Sequence, residues 1–392
     1  MYKDKIVITN GLVFKEGAFL PLNVYIAGGK IEKFSSWAES DRSYDNVDAA
    51  GKKLVPGFID IHIHGRNNLD LMDVVKDKTV IAKLASEILK TGVTSFLPTA
   101  LTSDFETYLA VIRKMADYID NQSSELPQAI GVYSEGVFFN IKRAGAQSPE
   151  FLKNPSRDLV EKVWDASNGK LKILALAPEL EGAEEAIRFI TEKGVIASMA
   201  HSWAEYEDAV RAYNAGLRGA THFMDAMKPM THLEPSLVGA GMLYDDITIE
   251  IIGDGMHVRP EVVKLLFRIK PIESIILVTD NVWVSGTAPG EYYLGTVPII
   301  NEGHRLVAKE TEYFSLAGSC ITLDTTLRNV VEYSSKPLED VLKCITENPA
   351  RYLGAADHIG FLKEGYDANI NILGEGLKVE KTFIKGHIHD HR

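Results

Sequence analysis

Two histidines stand two positions apart in the segment PGFIDIHIH, residues 56–64, whose alternating pattern reads as a β-strand. Residues i and i+2 of a strand share a face, so Asp60, His62 and His64 are expected to point one way and Ile59, Ile61 and Ile63 the other. This is the layout of a metal-binding strand end, and equally a chance feature of a half-buried strand, so its meaning turns on whether other ligands converge with it. Further apolar runs are followed by Glu135, Glu179, His201, His222, Asp254, His257 and Asp280. Imidazole and carboxylate ligands suit zinc, iron, nickel or manganese, and the absence of a nearby thiolate disfavours a structural zinc. Glu135, His201 and His222 supply the ligands of a catalytic centre with an open position, where the pKa of a bound water falls from about 15.7 to about 7. Asp280 is then the proton shuttle between that water and the leaving group. Taken singly, His201 and His222 also fit satisfied core histidines, Asp280 a cap, Asp254 a turn former and Glu179 a brace under the site. Glu135 differs, because an unpaired carboxylate among the apolar neighbours of SEGVFFN is costly and a cation partner is the simpler explanation.

These residues need a scaffold that brings them to one place. Apolar runs at 57–62, 93–97, 129–133, 171–177, 195–199, 217–221, 247–252 and 274–278 alternate with amphipathic stretches at 80–91, 105–119, 183–193, 206–215 and 260–269, the last opening on Pro260 at the first helical position. Repeated strand–helix units specify an α/β fold of the (β/α)8 TIM type, and in that barrel functional residues sit at the C-terminal ends of the strands. The residues named above fall at those ends. The chain termini read differently, as short β-like runs punctuated by Asn10–Gly11 and Gly28–Gly29, both expected as hairpin turns, and by Gly374 and Gly376. Residues 1–54 and 355–392 are therefore expected to form one small β-sandwich domain, and 55–354 the catalytic barrel. The tail carries His387, His389 and His391 in another alternating run, expected to be frayed as a chain end.

Composition narrows the partners. Lys and Arg number 42 against 54 Asp and Glu, a net charge of −12, with 45% apolar residues in a 392-residue chain. Nucleic-acid and membrane-surface binding would require a basic face and are excluded as expectations, although a basic pocket for a small anion is not. The only cysteines, Cys320 and Cys344, argue against a disulfide framework. Without a basic leader or an apolar run of membrane-spanning length, the expected location is the cytoplasm.

The motifs PGFIDIHIHG at 56–65, TSFLPT at 94–99, SEG at 134–136, LAPE at 176–179, AHS at 200–202, ATHFMDAM at 220–227, EPSLVGA at 234–240, DGMHV at 254–258, LVTD at 277–280, LAGS at 316–319 and NPARYLG at 348–354 occur in one order over nearly the whole chain. In this set the chain resembles the N-acetylglucosamine-6-phosphate deacetylase family of the amidohydrolase superfamily. The resemblance implies that Glu135, His201 and His222 hold the principal metal and that Asp280 is the acid/base. It further implies that His257 contacts the substrate and polarises the acetamide carbonyl, that Asp225 and Ala226 hold the sugar, and that Gln147 and Leu316 belong to the substrate-binding set, the latter in the segment lining the acetyl pocket. His62 and His64 are both present, so one or two divalent ions per subunit are allowed, and a homodimer is implied.

Three departures bear on the substrate. YSEGVF stands where the family has HLEGPF, FMDAM where it has FNAM, and LEPS where it has REPG, so that Asp225 replaces an asparagine and Leu233 the arginine that grips the sugar phosphate. Leucine cannot make the bidentate, charge-assisted bonds of arginine. Lys228, His232, Arg259 and the Lys142–Arg143 pair are the nearby cations, and the first three are the expected phosphate contacts. The leading expectation is metal-dependent deacetylation of N-acetylglucosamine 6-phosphate to glucosamine 6-phosphate and acetate. The alternatives are an amidohydrolase acting on another N-acyl substrate, such as N-acetylgalactosamine 6-phosphate or an unphosphorylated sugar, and a non-catalytic sugar-sensing homologue.

Overall fold

The computed structural model describes residues 5–37, 43–309 and 315–391. Parallel strands follow one another in chain order as β1 (Phe58–Ile63), β2 (Val93–Ala100), β3 (Val132–Ser134), β4 (Leu171–Leu176), β5 (Ile196–Met199), β6 (Gly219–Ala220), β7 (Thr248–Ile252) and β8 (Ile275–Val278). Each is followed by a helix: α1 (Val80–Leu89), α2 (Phe105–Asn121), α3 (Arg157–Ala166), α4 (Ala183–Glu192), α5 (Tyr206–Ala215), α6 (Ser236–Leu243), α7 (Pro260–Ile269) and α8 (Leu323–Ser334). Consecutive strands pair, and the ring closes where Ile63 bridges Asn281, with His64 N donating to Asn281 O at 2.7 Å and Asp280 N to His62 O at 2.9 Å. This is the (β/α)8 barrel expected from the alternation of apolar runs. The helix starts are chemically marked: Asp104 accepts from Thr107 N, Ser156 from Leu159 N, and Pro260 opens α7.

The first strand departs from simple alternation. Ile59 and Ile61 pack with Leu97, Ile173, Ala175, Ile276 and Val278 inside the ring, whereas Phe58 and Ile63 pack with Ile81 and Leu84 of the outer helical layer. The register with β2 shifts between Asp60 and Ile63, the mark of a bulge. As a result Ile63 does not share the face of Ile59 and Ile61, and Asp60 does not share that of His62 and His64. The Asp60 carboxylate instead accepts Thr279 Oγ1 at 2.6 Å and Thr279 N at 3.3 Å, tying β1 to the end of β8.

The chain ends assemble one sheet, in the order His387–Asp390, Val379–Ile384, Ile370–Leu373, Lys53–Pro56, Lys5–Lys15, Ala18–Ala27, Lys30–Ser35, with Asp45–Asp48 alongside Lys5–Lys15. Ile8, Val24, Ile26, Leu54, Ile370 and Phe383 form its core. Residues 1–4, 38–42 and 392 of the expected terminal unit lie outside the described residues. Gly28–Gly29 is a hairpin turn, but Asn10–Gly11 is not. Lys5–Lys15 runs on as one strand with a register shift between Ile8 and Gly11, Asn10 sits at φ 57°, and the hairpin turns instead at Glu16–Gly17. A Cβ at Gly11 would lie 2.4 Å from Leu54 Cδ1, so a larger residue there would force the Leu54 side chain to shift. The histidine tail is not frayed either: His387–Asp390 pairs with Val379–Ile384, and His391 Nε2 lies 3.0 Å from Thr382 Oγ1. A three-stranded sheet, Gly290–Leu294, Val297–Asn301 and Leu306–Ala308, is inserted after β8 and was not anticipated from the pattern of runs.

Where the chain leaves Pro56 for β1, Gly57 lies against Thr94, and a Cβ there would sit 2.1 Å from Thr94 Oγ1 and 2.4 Å from its Cγ2. Gly57→Ala is therefore expected to destabilise the barrel by about 1–3 kcal/mol through overpacking, measured as a lower urea midpoint at unchanged m.

Candidate metal centre

The strand ends deliver their side chains by bending the backbone. His201 after β5, His222 after β6 and Asp280 after β8 have φ of 43°, 30° and 48°, a left-handed conformation that costs non-glycine residues of order 1–3 kcal/mol each. After β3, Gly136 lets the chain pass close to α2 and its entry loop, because a Cβ would meet Tyr108 Cε2 at 2.8 Å and Thr102 N at 2.9 Å. That passage places Glu135, whose N donates to Ala100 O at 3.2 Å, over the mouth of the ring.

Glu135 is the hub. Its Oε1 lies 3.2 Å from His201 Nε2 and 3.0 Å from His222 Nε2, which are 3.1 Å from each other. Its Oε2 lies 3.1 Å from His64 Nε2 and 3.7 Å from His62 Nε2, and accepts from Gln147 Nε2 at 2.9 Å. His62 Nε2 and His64 Nε2 are 3.2 Å apart and stand 3.5 and 3.4 Å from Asp280 Oδ1. Two buried groups that could hold a metal ion result, Glu135–His201–His222 and His62–His64–Asp280, each with its donor atoms within 4.8 Å of one another.

The donor chemistry fits a cation. His201 Nδ1 lies 2.9 Å from Arg143 O, His64 Nδ1 3.2 Å from Thr99 O, and His62 Nδ1 2.9 Å from Glu250 Oε2. A carbonyl or carboxylate oxygen can only accept, so each Nδ1 carries the proton, and in the neutral ring Nε2 presents a lone pair. Those lone pairs face one another and the carboxylate oxygens of Glu135 and Asp280. Such contacts are stable only with positive charge between them, supplied by protons or by a metal ion.

The same carboxylates act on the proton affinity of these imidazoles. Burial pushes His62, His64 and His222 down, but Asp280, Glu250 and Glu135 more than reverse it, raising His62 well above the ordinary range, His64 to about 9, and His222 in the same direction. Burial conversely favours neutral Glu135 and Asp280, yet the surrounding imidazoles hold both below the usual carboxylate range.

The centre opens into a cavity of about 330 Å³, at the small end of ligand-pocket sizes. His257 lines it, with Nδ1 2.7 Å from Asp254 Oδ2; burial pushes this imidazole down, and Asp254, Asp225 and Asp280 raise it to about 9. Asp225, Ala226, Gln147 and Leu316 are also on the wall. Burial pushes the Asp225 carboxyl up to about 7, and its Oδ2 has no hydrogen-bond partner among the described residues. Asp254 shapes the loop, accepting Met256 N and His257 N at 2.8 and 2.9 Å. Glu179 braces adjoining loops, accepting Asn140 Nδ2, Trp203 N and Ser202 Oγ at 2.9, 2.6 and 2.7 Å, and joins neither ligand group.

Lys228, His232 and Arg259 do not line the cavity. Lys228 is held by Glu205 at 2.5 Å and Glu234 at 3.1 Å, His232 is exposed, and Arg259 is 75% exposed. Leu233 also lies off the wall, at 80% exposure.

One residue escaped the sequence reading. Glu250, buried on β7, accepts from His62 Nδ1 and, at 3.3 Å, from His222 N, while Tyr133 Oη donates to its Oε1 at 3.1 Å. Tyr133 Oη also lies 2.6 Å from Thr221 Oγ1, itself 2.6 Å from Ser198 Oγ. Glu250 thus orients ligands of both groups from beneath. The available signal was a carboxylate in the otherwise apolar run ITIEII.

The amidohydrolase family pattern matches residues 54–389. The N-acetylglucosamine-6-phosphate deacetylase of Lysinibacillus sphaericus is 34% identical over 370 residues, spanning 94% of this chain and 93% of that protein. The N-acetylgalactosamine-6-phosphate deacetylase of Escherichia coli O157:H7 is 32% identical over 335 residues, 86% of this chain and 87% of its own. The crystal structure of N-acetylglucosamine-6-phosphate deacetylase from Thermotoga maritima superposes with a TM-score of 0.86 at 28% identity, covering 98% of this chain and 99% of that one. A mutant of the Mycobacterium smegmatis enzyme in complex with N-acetyl-D-glucosamine-6-phosphate gives 0.90 at 25% identity, again over 98% and 99%.

Two outcomes are expected. Metal uptake should release protons and tighten as pH rises toward about 9, since His64 carries a competing proton below that value; calorimetry in buffers of different ionisation enthalpy measures the release. Glu250→Gln should weaken metal binding by roughly 10–100-fold at the group containing His62, read as metal content per chain, with Glu250→Asp retaining part of it.

Proposed function

Because the chain belongs to the amidohydrolase family and within it to the N-acetylglucosamine-6-phosphate deacetylases, we propose that it is a metal-dependent hydrolase that converts N-acetylglucosamine 6-phosphate to glucosamine 6-phosphate and acetate. The observation that carries this reading is the convergence of Glu135, His201 and His222 with Asp280 at one end of a single cavity. Glu135, His201 and His222 would hold the principal ion, with His62 and His64 beside Asp280 as a second position, and the donor set accepts zinc, iron, nickel or manganese. When bound, a divalent ion would supply Lewis acidity toward the amide carbonyl and would make water easier to deprotonate near neutrality.

The protein's own groups do the rest. Asp280, kept ionised by His62 and His64, takes a proton from the attacking water and delivers it to the amine nitrogen as the C–N bond breaks. His257, oriented and kept protonated by Asp254, donates to the carbonyl oxygen as charge develops on it. Asp225 and Ala226 position the sugar, with Gln147 and Leu316 completing the pocket.

A second reading, the C4 epimer N-acetylgalactosamine 6-phosphate, is supported by the E. coli relative of that name and by Asp225, whose unpartnered Oδ2 offers an acceptor to a sugar hydroxyl. We also read the protein as cytoplasmic and homodimeric, with 55–354 as the catalytic unit and the chain ends as its β-sheet partner. In support, no helix among the described residues is long and apolar enough to cross a membrane, Cys320 and Cys344 are unpaired, and apolar Ile141 and Leu233 are exposed.

Acetate release should be fastest on N-acetylglucosamine 6-phosphate in a panel that includes the galactosamine epimer and both unphosphorylated sugars; a preference for another member replaces the leading reading. Asp280→Asn should lower kcat by roughly 10²–10⁴-fold while the ion held by Glu135, His201 and His222 stays bound. Near-normal turnover would remove Asp280 from the proton path.

A further inference from the structure

We propose that Lys142 and Arg143 form an anion subsite at the rim of the cavity and take the substrate's phosphate from within the same chain, an inference that rests on the reading of the substrate as a sugar phosphate. Among the described residues, these are the only lysine or arginine side chains on the cavity wall. The rest of the wall carries carboxylates and imidazoles toward the metal centre and apolar groups such as Leu101, Val282 and Leu294. A phosphate entering this cavity therefore meets lysine and arginine side chains at one place, apart from the wall histidines. Lys228, another cation of this region, is off the cavity wall and pairs with Glu205 and Glu234.

The pair is also built to hold position. Both side chains stand over Trp203, with Arg143 Cζ 4.9 Å and Lys142 Nζ 5.7 Å from the ring centroid. A cation held over an aromatic face loses less freedom when it binds an anion. The backbone beneath them is fastened to a metal ligand: Arg143 O accepts from His201 Nδ1 at 2.9 Å, and Asn140 N donates to His201 O at 3.0 Å. Asn140 Oδ1 in turn accepts Lys142 N at 3.0 Å, setting the short turn Ile141–Arg143. The spacing between the anion subsite and the hydrolytic centre is thus set through one imidazole, which gives the cavity a ruler between phosphate and amide. A guanidinium fork beside a lysine point charge suits a phosphate monoester dianion, with arginine making paired bonds and lysine adding charge.

The test compares steady-state acetate release from N-acetylglucosamine 6-phosphate and from N-acetylglucosamine, using metal-loaded wild type, Arg143→Gln, Arg143→Lys and Lys142→Gln/Arg143→Gln. Expected is a rise in KM for the phosphorylated sugar of about 10–100-fold in Arg143→Gln, more in the double variant and less in Arg143→Lys. Turnover of the bare sugar should change less than about threefold, because the contact is to a group that does not react. Competitive inhibition by inorganic phosphate should weaken in the same order. Equal losses on both sugars, or an unchanged KM for the phosphorylated one, would overturn the subsite. If wild type itself does not distinguish the two sugars, the phosphorylated-substrate reading fails and the subsite with it. If wild type prefers the phosphate and the variants keep that preference, only the subsite fails. Metal content and Tm of each variant separate these results from misfolding.

Discussion

A single buried carboxylate organises this molecule. Glu135 is 2% exposed and its two oxygens meet four imidazole nitrogens and one amide. An isolated carboxylate at that depth would cost many kcal/mol, so everything around it is arranged to supply positive charge. Three of the imidazoles are turned with Nδ1 on an acceptor and Nε2 inward. The backbone strain at His201, His222 and Asp280 follows from the same demand, because only a left-handed turn at the strand end aims each side chain back over the ring. The barrel supplies the rigidity that holds these unfavourable conformations in place.

Much of this was legible in the sequence for a physical reason. Strands buried on both faces read as apolar runs, and the polar residue that ends such a run marks the barrel mouth. Glu135, His201, His222 and Asp280 stood out in that way. What could not be read was any relation that depends on how two distant strands meet. The bulge in β1 undid the expected sharing of faces, sending Asp60 to Thr279 and Ile63 to the helices. Glu250 was hidden because its reason for being buried, His62, lies 188 positions away. Asn10–Gly11 has the chemistry of a turn, but it lies at a register shift within one continuous strand whose pairing with Ala18–Ala27 runs past it. The histidine tail pairs because Val379–Ile384 offers it an edge, which local pattern does not reveal.

The chain's net charge of −12 and the proposed anionic substrate are compatible because recognition is local. Glu135 and Asp280 are matched by imidazoles at close range, which reduces their field at the rim. Lys142 and Arg143 stand on the cavity wall over Trp203. Asp225 fits the same division. Burial pushes its carboxyl up to about 7, so near neutrality it presents less negative charge to an anionic substrate than a solvated carboxylate would.

The two halves of the centre are anchored by different means, and the difference bears on how many ions it needs. His201 and His64 are fixed by main-chain carbonyls, which no side-chain substitution removes, whereas His62 is fixed by the carboxylate of Glu250. A carboxylate acceptor makes His62 the more basic donor, toward a metal and toward a proton alike. A second divalent ion between His62, His64 and Asp280 would bring two positive charges. Two imidazolium protons on the same histidines bring the same two. The carboxylates of Glu135 and Asp280 are balanced in either case, so occupancy of the second position becomes a competition between protons and metal, with Glu250 strengthening both competitors at His62. Acid therefore favours protons over a metal at His62 and His64 and base the reverse, without any change in the fold that presents these side chains.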